Sequence, residues 1–409
     1  MNQPARSPAS DPVPTGAPSS VPVVGDRFVA IEVQGEAALL EHLAGWEALV
    51  DAAVEPNLFL EPWMVLPALQ GLSGKRPVSF LLIYEPPRSH LQNRRLLVGL
   101  VPLERTRFGG AVRRPVLQLW RHRFAYLTTP LLHRECAREA FAAVLDWLER
   151  EAGGMVRLPM WRAEGPVHEM LIEELNTRGW PFHLDDVYTR AYLRRGSGGD
   201  AYLERSMDAK RRRNLRRLGD RLREAGTVEI CTPGADDKLE SWVEEFLRLE
   251  ASGWKGAAGS AFLSRDADAD FLRRIAAAAN QRGRLEFMAL RFEGRPIALK
   301  LNLWSEDGRR GYAYRIAFDE EFAKFSPGML LELENIQRFH DRPAAVEMDS
   351  CASRNRFLLN HLWRERLTIE TLWLAPAGRA EFWLRAIPLL RWLESRLFRR
   401  RGDRSNREE

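Results

Sequence analysis

Cysteine is almost missing from this chain: its 409 residues hold three, Cys136, Cys231 and Cys351, at spacings that suit neither a disulfide framework nor a zinc site. A reducing cytoplasm is the expected setting, with peripheral contact at the inner membrane left open. Long apolar runs are missing as well, and nothing approaches the roughly 20 residues that a bilayer-crossing helix needs. Residues 1–22 lack an apolar core and are punctuated by Pro4, Pro8, Pro12, Pro14, Pro18 and Pro22. No signal peptide is expected there, and residues 1–25 read as a disordered Pro/Ser-rich tail. The eight histidines are scattered without metal-ligand spacing, so no metal is expected. Gly-x-Ser-x-Gly, Walker and Gly-x-Gly-x-x-Gly patterns are all wanting, which removes the usual signatures of hydrolases, kinases and dehydrogenases. Net charge is small too, +5, yet arginine is heavily used, which points to local basic surfaces.

What is present is the length for about two or three domains and a mixed α/β pattern. The chain is organised around residues 285–340. Alternating apolar positions predict strands over 285–292, 297–304 and 312–318, joined by turns at Glu293-Gly294-Arg295 and Glu306-Asp307-Gly308. In the middle strand Ile297, Leu299, Leu301 and Leu303 share a core face, which leaves Ala298, Lys300, Asn302 and Trp304 opposite for polar work. In the third, Tyr312, Tyr314, Ile316 and Phe318 oppose Ala313, Arg315 and Ala317. A helix over 329–339 follows Phe325-Ser326-Pro327-Gly328, with Ser326 as its expected cap and Pro327 at its first position. Such a helix start attracts anions, so a phosphate or pyrophosphate would fit there; an ordinary strand-to-helix junction explains the same residues.

The first half predicts a strand over 28–33, helices over 36–53 and 61–72, strands over 78–84, 96–105 and 115–120, helices over 138–151 and 167–178, and a strand over 182–194. Gly196-Ser197-Gly198-Gly199 is the best boundary in the chain. A basic amphipathic helix over 202–225 follows, with Lys210, Arg211, Arg212, Arg213, Arg216, Arg217, Arg221 and Arg223 against an apolar stripe. It suits nucleic acid, a nucleotide-bearing substrate, an acidic membrane surface or plain solvent. Next come a strand over 227–231, a helix over 238–252, and the loop Gly253-Trp254-Lys255-Gly256-Ala257-Ala258-Gly259-Ser260. Glycine lets backbone approach a ligand, and Lys255 can neutralise a phosphate or carboxylate; a joining loop with Trp254 in the core is the alternative. A helix over 262–281 leads into the meander. Beyond it, a strand over 344–348 ends at Asp349, whose carboxylate at a strand end suits a general base. No local signature makes Cys351 a nucleophile. A strand over 367–374 and a helix over 380–400, kinked at Pro388, close the chain. That helix mixes Phe382, Trp383, Leu390, Trp392 and Leu397 with Arg385, Arg391, Arg396, Arg399, Arg400 and Arg401.

In their order, the basic helix 210–223, Trp254-Lys255-Gly256, Gly294-Arg295-Pro296-Ile297-Ala298, Tyr312-Ala313-Tyr314-Arg315, Asp319, Ser326-Pro327-Gly328 with Leu330-Leu331, and Asp349 resemble the GNAT-fold acyltransferases of the BioF2-like and CelD type, relatives of the FemAB aminoacyltransferases. The resemblance is clearest over about residues 200–375; Phe59-Leu60-Glu61-Pro62-Trp63 and the strand 97–103 resemble the family's first half. It implies an α/β fold of two tandem GNAT-like halves, over 26–195 and 196–375, with a basic tail over 376–409. It also implies an acyl-thioester donor, acyl-CoA or acetyl-CoA, and an amine or hydroxyl acceptor such as a small molecule or an envelope or polysaccharide precursor. The strand 312–318 would splay from its neighbour to pair with the donor's pantetheine arm, and Lys324, Ser326, Gly328 and Met329 would cover its pyrophosphate. Asp349 would be the base, Tyr314 the acid toward the leaving thiolate, and Lys255, Trp254 and Arg315 the acceptor site. The family loop reads Arg/Gln-x-x-Gly-x-Gly/Ala, whereas this chain has one glycine, Gly328, after Lys324. Two alternatives stay open: aminoacyl-tRNA as donor, as in the FemAB relatives, and a non-catalytic GNAT-fold binding protein in exopolysaccharide assembly.

Overall fold

Runs in which alternate side chains are apolar, closed by glycine and aspartate turns, set most of the strands where the sequence suggests them. The computed structural model describes residues 23–24, 28–74, 76–86, 95–109, 113–234, 236–353, 359, 361–376 and 380–392. Most of the N-terminal tail and the far end of the last helix lie outside the described residues. The strands are β1 (Val23–Val24), β2 (Val29–Gln34), β3 (Val78–Glu85), β4 (Leu96–Phe108), β5 (Arg114–Leu119), β6 (Leu131–Leu132), β7 (Met155–Arg162) and β8 (Phe182–Arg194), then β9 (Val228–Cys231), β10 (Leu285–Phe292), β11 (Arg295–Trp304), β12 (Arg310–Phe318), β13 (Glu347–Asp349) and β14 (Glu365–Leu374). All belong to one sheet in the order β1-β2-β3-β4-β5-β7-β14-β8-β13-β12-β11-β10-β9, with β6 beside β4.

That order repeats about its centre. The series β2-β3-β4-β5-β7 on one side corresponds to β9-β10-β11-β12-β13 on the other. Each half has a single parallel pairing, β5 with β7 and β12 with β13. The last strand of each half has crossed over: β14 inserts between β7 and β8, and β8 pairs with β13. The chain is thus a mixed α/β protein of two halves with corresponding strand order, joined by exchanged strands.

Side chains alternate across this sheet, so each face needs its own cover. Helices Leu43–Ala52, Pro62–Gly71, Leu239–Ser252 and Asp266–Gln281 pack on one face around Trp46, Phe80, Phe246, Phe271 and Leu301. Ala137–Glu151 and Pro166–Arg178 cover the other face of the first half. Pro327–Asp341, Gly199–Ser206 and Ala209–Ala225 do the same for the second.

Several sequence expectations change in detail. The helix expected over 36–53 is two, Gly35–Leu40 and Leu43–Ala52. The basic helix breaks at Met207-Asp208, because the Asp208 carboxylate accepts from the Arg211 amide and starts a new helix. Strand β7 was not expected, since Pro159 cannot donate to a ladder; the pairing with β14 skips a register there and Met160 takes φ 53. The opposite face of β11 is not open for polar work. Helix Pro327–Asp341 buries it, and Lys300 pairs with Glu332 at 2.8 Å while the Asn302 amide donates to Asn335 at 2.7 Å. In β12 the faces also differ from strict alternation. The strand carries one extra residue opposite Asn302, so Arg315 and Ala317 join Tyr312 and Tyr314 on one side.

Charge locks the exchanged strands together. Glu347 of β13 accepts from Arg310 of β12 at 2.6 Å and lies 3.4 Å from Arg162 of β7, and both arginines also approach Glu55. Burial alone would push the Glu347 carboxyl up, but Arg310 and Arg162 outweigh it and hold it down at about 2. A depressed carboxyl adds stability that is complete above the unfolded value near 4.5 and is lost as pH falls toward 2, here on the order of 3 kcal/mol. Urea unfolding between pH 2 and 4.5 is therefore expected to fall steeply for the natural chain, with a flatter profile for Glu347→Gln.

Candidate active site

Parallel pairing between β12 and β13 lasts three residues, Arg310–Glu347, Gly311–Met348 and Tyr312–Asp349. After it β13 ends, and the chain turns away through Ser350 and Cys351, the latter at φ 52. Ala313 to Phe318 then run on with no strand on that side among the described residues. The gap opens into a cleft of about 460 Å³, walled by Ala313, Tyr314, Arg315 and Ile316 of β12, by Ser350, Cys351 and Ala352 across it, and by Lys255 and Lys300.

The first half has the same parting and fills it. β5 and β7 pair only over Val116–Gln118 and Met155–Arg157. The chain after β5 then crosses beside β7, where Thr128 donates its amide to the Met160 carbonyl and its hydroxyl bonds the Pro159 carbonyl at a short 2.5 Å. On the way it delivers Arg123, Phe124 and Tyr126 to the wall of the second half's cleft. Phe124 lies 4.4 Å from Phe262 between ring centroids, and Tyr126 meets Tyr314 edge-on at 5.9 Å.

Cations outnumber carboxylates along this wall. Lys255 is buried, 2.7 Å from Glu250, and donates to the Ile316 carbonyl at 2.8 Å. Arg315 stands 4.0 Å from the same Glu250, its guanidinium 4.7 Å above the Phe262 ring. Arg123 pairs with Asp268, which Arg265 approaches at 3.8 Å. Among the described residues these four cations approach two carboxylates, a local excess of positive charge in a partly desolvated space. Lys300, by contrast, is matched by Glu332.

Two neutral acids complete the lining. Burial pushes the Tyr314 hydroxyl well above its ordinary value, so it keeps its proton throughout the neutral range, and it has no hydrogen-bond partner among the described residues. Burial and the Asp349 charge likewise raise the Cys351 thiol, which disfavours a thiolate nucleophile.

Of the residues singled out from sequence, the cleft gathers Tyr314, Lys255 and Arg315. Asp349 sits just behind it; its carboxylate pairs with the buried Arg190 and accepts the Cys351 amide at 2.9 Å. Trp254 is not tucked into the core: it is 45 % exposed and borders a separate hollow of about 80 Å³. Lys324, Ser326, Gly328 and Met329 lie outside the cleft lining, with Lys324 over the Phe325 ring at 5.1 Å. Ser326 does not cap its helix through its side chain. It adopts φ 55, and its carbonyl takes the Met329 and Leu330 amides at 2.9 and 3.1 Å. Sequence reasoning passed over Arg123, Phe124, Tyr126, Arg265 and Asp268, because their approach is long-range. The alternation of basic and aromatic residues in Arg121-His122-Arg123-Phe124-Ala125-Tyr126 was the available cue.

The class follows from this topology together with the comparisons. Residues 209–357 match the family model described as an acetyltransferase (GNAT) domain. The crystal structure of FemX is 11% identical and superposes with a TM-score of 0.51 over 84% of this chain and 96% of that one, which shows a shared fold. A tandem GNAT protein from the clavulanic acid biosynthesis pathway is 13% identical over 84% of this chain and 98% of its own, with a TM-score of 0.40. A conserved protein from Bacteroides thetaiotaomicron is 10% identical over 81% and 97%, with a TM-score of 0.47. A search of curated proteins finds no match. Residues 209–357 are thus similar to a GNAT acetyltransferase domain, and the chain as a whole shares the fold of FemX. More particularly, the match begins at the basic helix Ala209–Ala225 and ends just beyond Cys351, so it takes in β12, β13 and the parting between them.

The shared carboxylates yield a stability test. Replacing Glu250 by Gln removes the carboxylate that Lys255 and Arg315 share, and breaking such a buried set costs about 3–5 kcal/mol. Urea unfolding of Glu250→Gln should show that loss, partly recovered in sulfate, which can occupy the vacated charge site.

Proposed function

We propose that this protein moves an acyl group from a thioester donor, acyl-CoA in the leading reading, to an amine or hydroxyl of an acceptor that carries an anionic group. The observation that carries the reading is the parting of β12 from β13, which leaves strand backbone beside a cleft with surplus positive charge. The edge of β12 beyond Tyr312, with no strand beside it among the described residues, offers amide and carbonyl groups to an extended donor arm, as an added strand would take them. Lys255 already holds the Ile316 carbonyl, so that donor pairs with the remaining groups.

In the transfer the acceptor nitrogen or oxygen attacks the thioester carbonyl carbon, the C–S bond breaks, and the Tyr314 hydroxyl gives its proton to the departing sulfur. The acceptor's proton leaves to solvent through the open mouth, and solvent restores the tyrosine. Asp349, engaged by Arg190 and the Cys351 amide, fixes the end of β13 instead of taking that proton. Arg315, Lys255, Arg123 and Arg265 bind the acceptor's anionic group, which favours a cell-envelope or polysaccharide precursor over an uncharged alcohol.

A second donor reading, aminoacyl-tRNA, draws on the helix Ala209–Ala225, whose Lys210, Arg213, Arg216, Arg217 and Arg221 are exposed. Titration calorimetry with acetyl-CoA, longer acyl-CoAs and charged tRNA separates the two. Saturable heat with an acyl-CoA, abolished by Ala313→Trp in a folded variant, is the expected result; heat with charged tRNA alone moves the assignment to the second donor. Tyr314→Phe should fold normally, bind donor unchanged, and lower kcat by about 100-fold or more; unaltered kcat removes Tyr314 from the proton transfer.

A further inference from the structure

Most exposed large apolar side chains in a folded chain stand singly and need no explanation, but three on one helical stripe do. Residues 381–392 form a helix that packs against β5, β7 and β14. Its inner side, Leu384 and Ile387 with the preceding Ala380, packs on Val116, Met155 and Trp373. Arg114 lies 4.1 Å over the Trp383 ring and anchors the helix from the side. The helix is therefore docked, and its outward face is a fixed surface.

That outward face is apolar where it should be polar. Phe382 is 73 % exposed, Leu389 58 % and Trp392 48 %. Their spacing of seven and then three residues places them along one line. Arginines flank the stripe: Arg385 pairs with Glu381 at 2.6 Å and Arg391 with Asp185 at 2.6 Å, both keeping exposed surface. The sequence beyond adds Arg396, Arg399, Arg400 and Arg401, against one acidic residue, Glu394, in that stretch. No helix among the described residues is long and apolar enough to cross a membrane. An aromatic and aliphatic ridge bordered by arginine matches a boundary where hydrocarbon meets anionic headgroups.

We propose that this helix lays its Phe382–Leu389–Trp392 ridge into an anionic lipid surface, with the arginines on the headgroups. The complementarity of charge selects this occupant over a neutral apolar partner. The ridge is built from residues that take no part in the cleft, so catalysis and membrane docking can be varied separately.

The test is co-sedimentation of the full chain with vesicles of phosphatidylcholine containing phosphatidylglycerol, and with phosphatidylcholine alone, over a range of salt. The natural chain should partition to the phosphatidylglycerol vesicles and be released as salt rises. The variant Phe382→Ser with Leu389→Ser, unchanged in circular dichroism and melting, should lose roughly 100-fold in partitioning, the scale of two such side chains returned to water. Three results overturn the proposal: no binding of the natural chain, equal binding by the variant, or equal binding to both vesicle types. It also fails if the natural chain is a dimer by sedimentation velocity and the variant a monomer, since a second copy then covers the ridge.

Discussion

A three-residue parallel pairing governs this molecule. β12 and β13 stay together only long enough to fix their relative direction, and the residues after it must part. Backbone amides that lose a neighbour in a sheet interior demand other partners, so the parting survives only where something stabilises it. Here Lys255 takes one carbonyl of the free edge, and the Arg190–Asp349 pair with the Cys351 turn holds the opposite lip. The cleft is thus a consequence of strand geometry held by buried charge, more than of any loop.

Exchange of the terminal strands ties the two halves into one sheet. β14 lies between β7 and β8, and β8 reaches β13, so neither half can complete its sheet alone. Glu347, Arg310 and Arg162 then connect β13, β12 and β7 across the exchange. One half's stability and the other's site geometry are linked through the same hydrogen-bonded ladder.

The sequence was most legible where period and turn chemistry agreed. Strands β10 to β12 and the helix after Pro327 follow from alternation, Gly294, Gly308 and proline at a helix start. Legibility failed where a local rule was overridden by pairing. Pro159 argues against a strand, yet a register skip accommodates it; one extra residue in β12 moves Arg315 to the face of Tyr314. Of the site, the contribution of β12 and Lys255 could be found from neighbouring motifs. The wall from Arg123, Phe124 and Tyr126 could not, because nothing local says that a segment over a hundred residues upstream arrives there.

That wall has a consequence for how such a protein can change over time. In the first half residues 120–130 occupy the parting between β5 and β7, held beside β7 by the Thr128 amide on the Met160 carbonyl. The same stretch now shapes the mouth of its twin. Substitutions there can reshape the cleft and its charge while the edge of β12 and the Tyr314 hydroxyl stay untouched, so the first half is a place where the second half's cleft can be changed without disturbing its own strands.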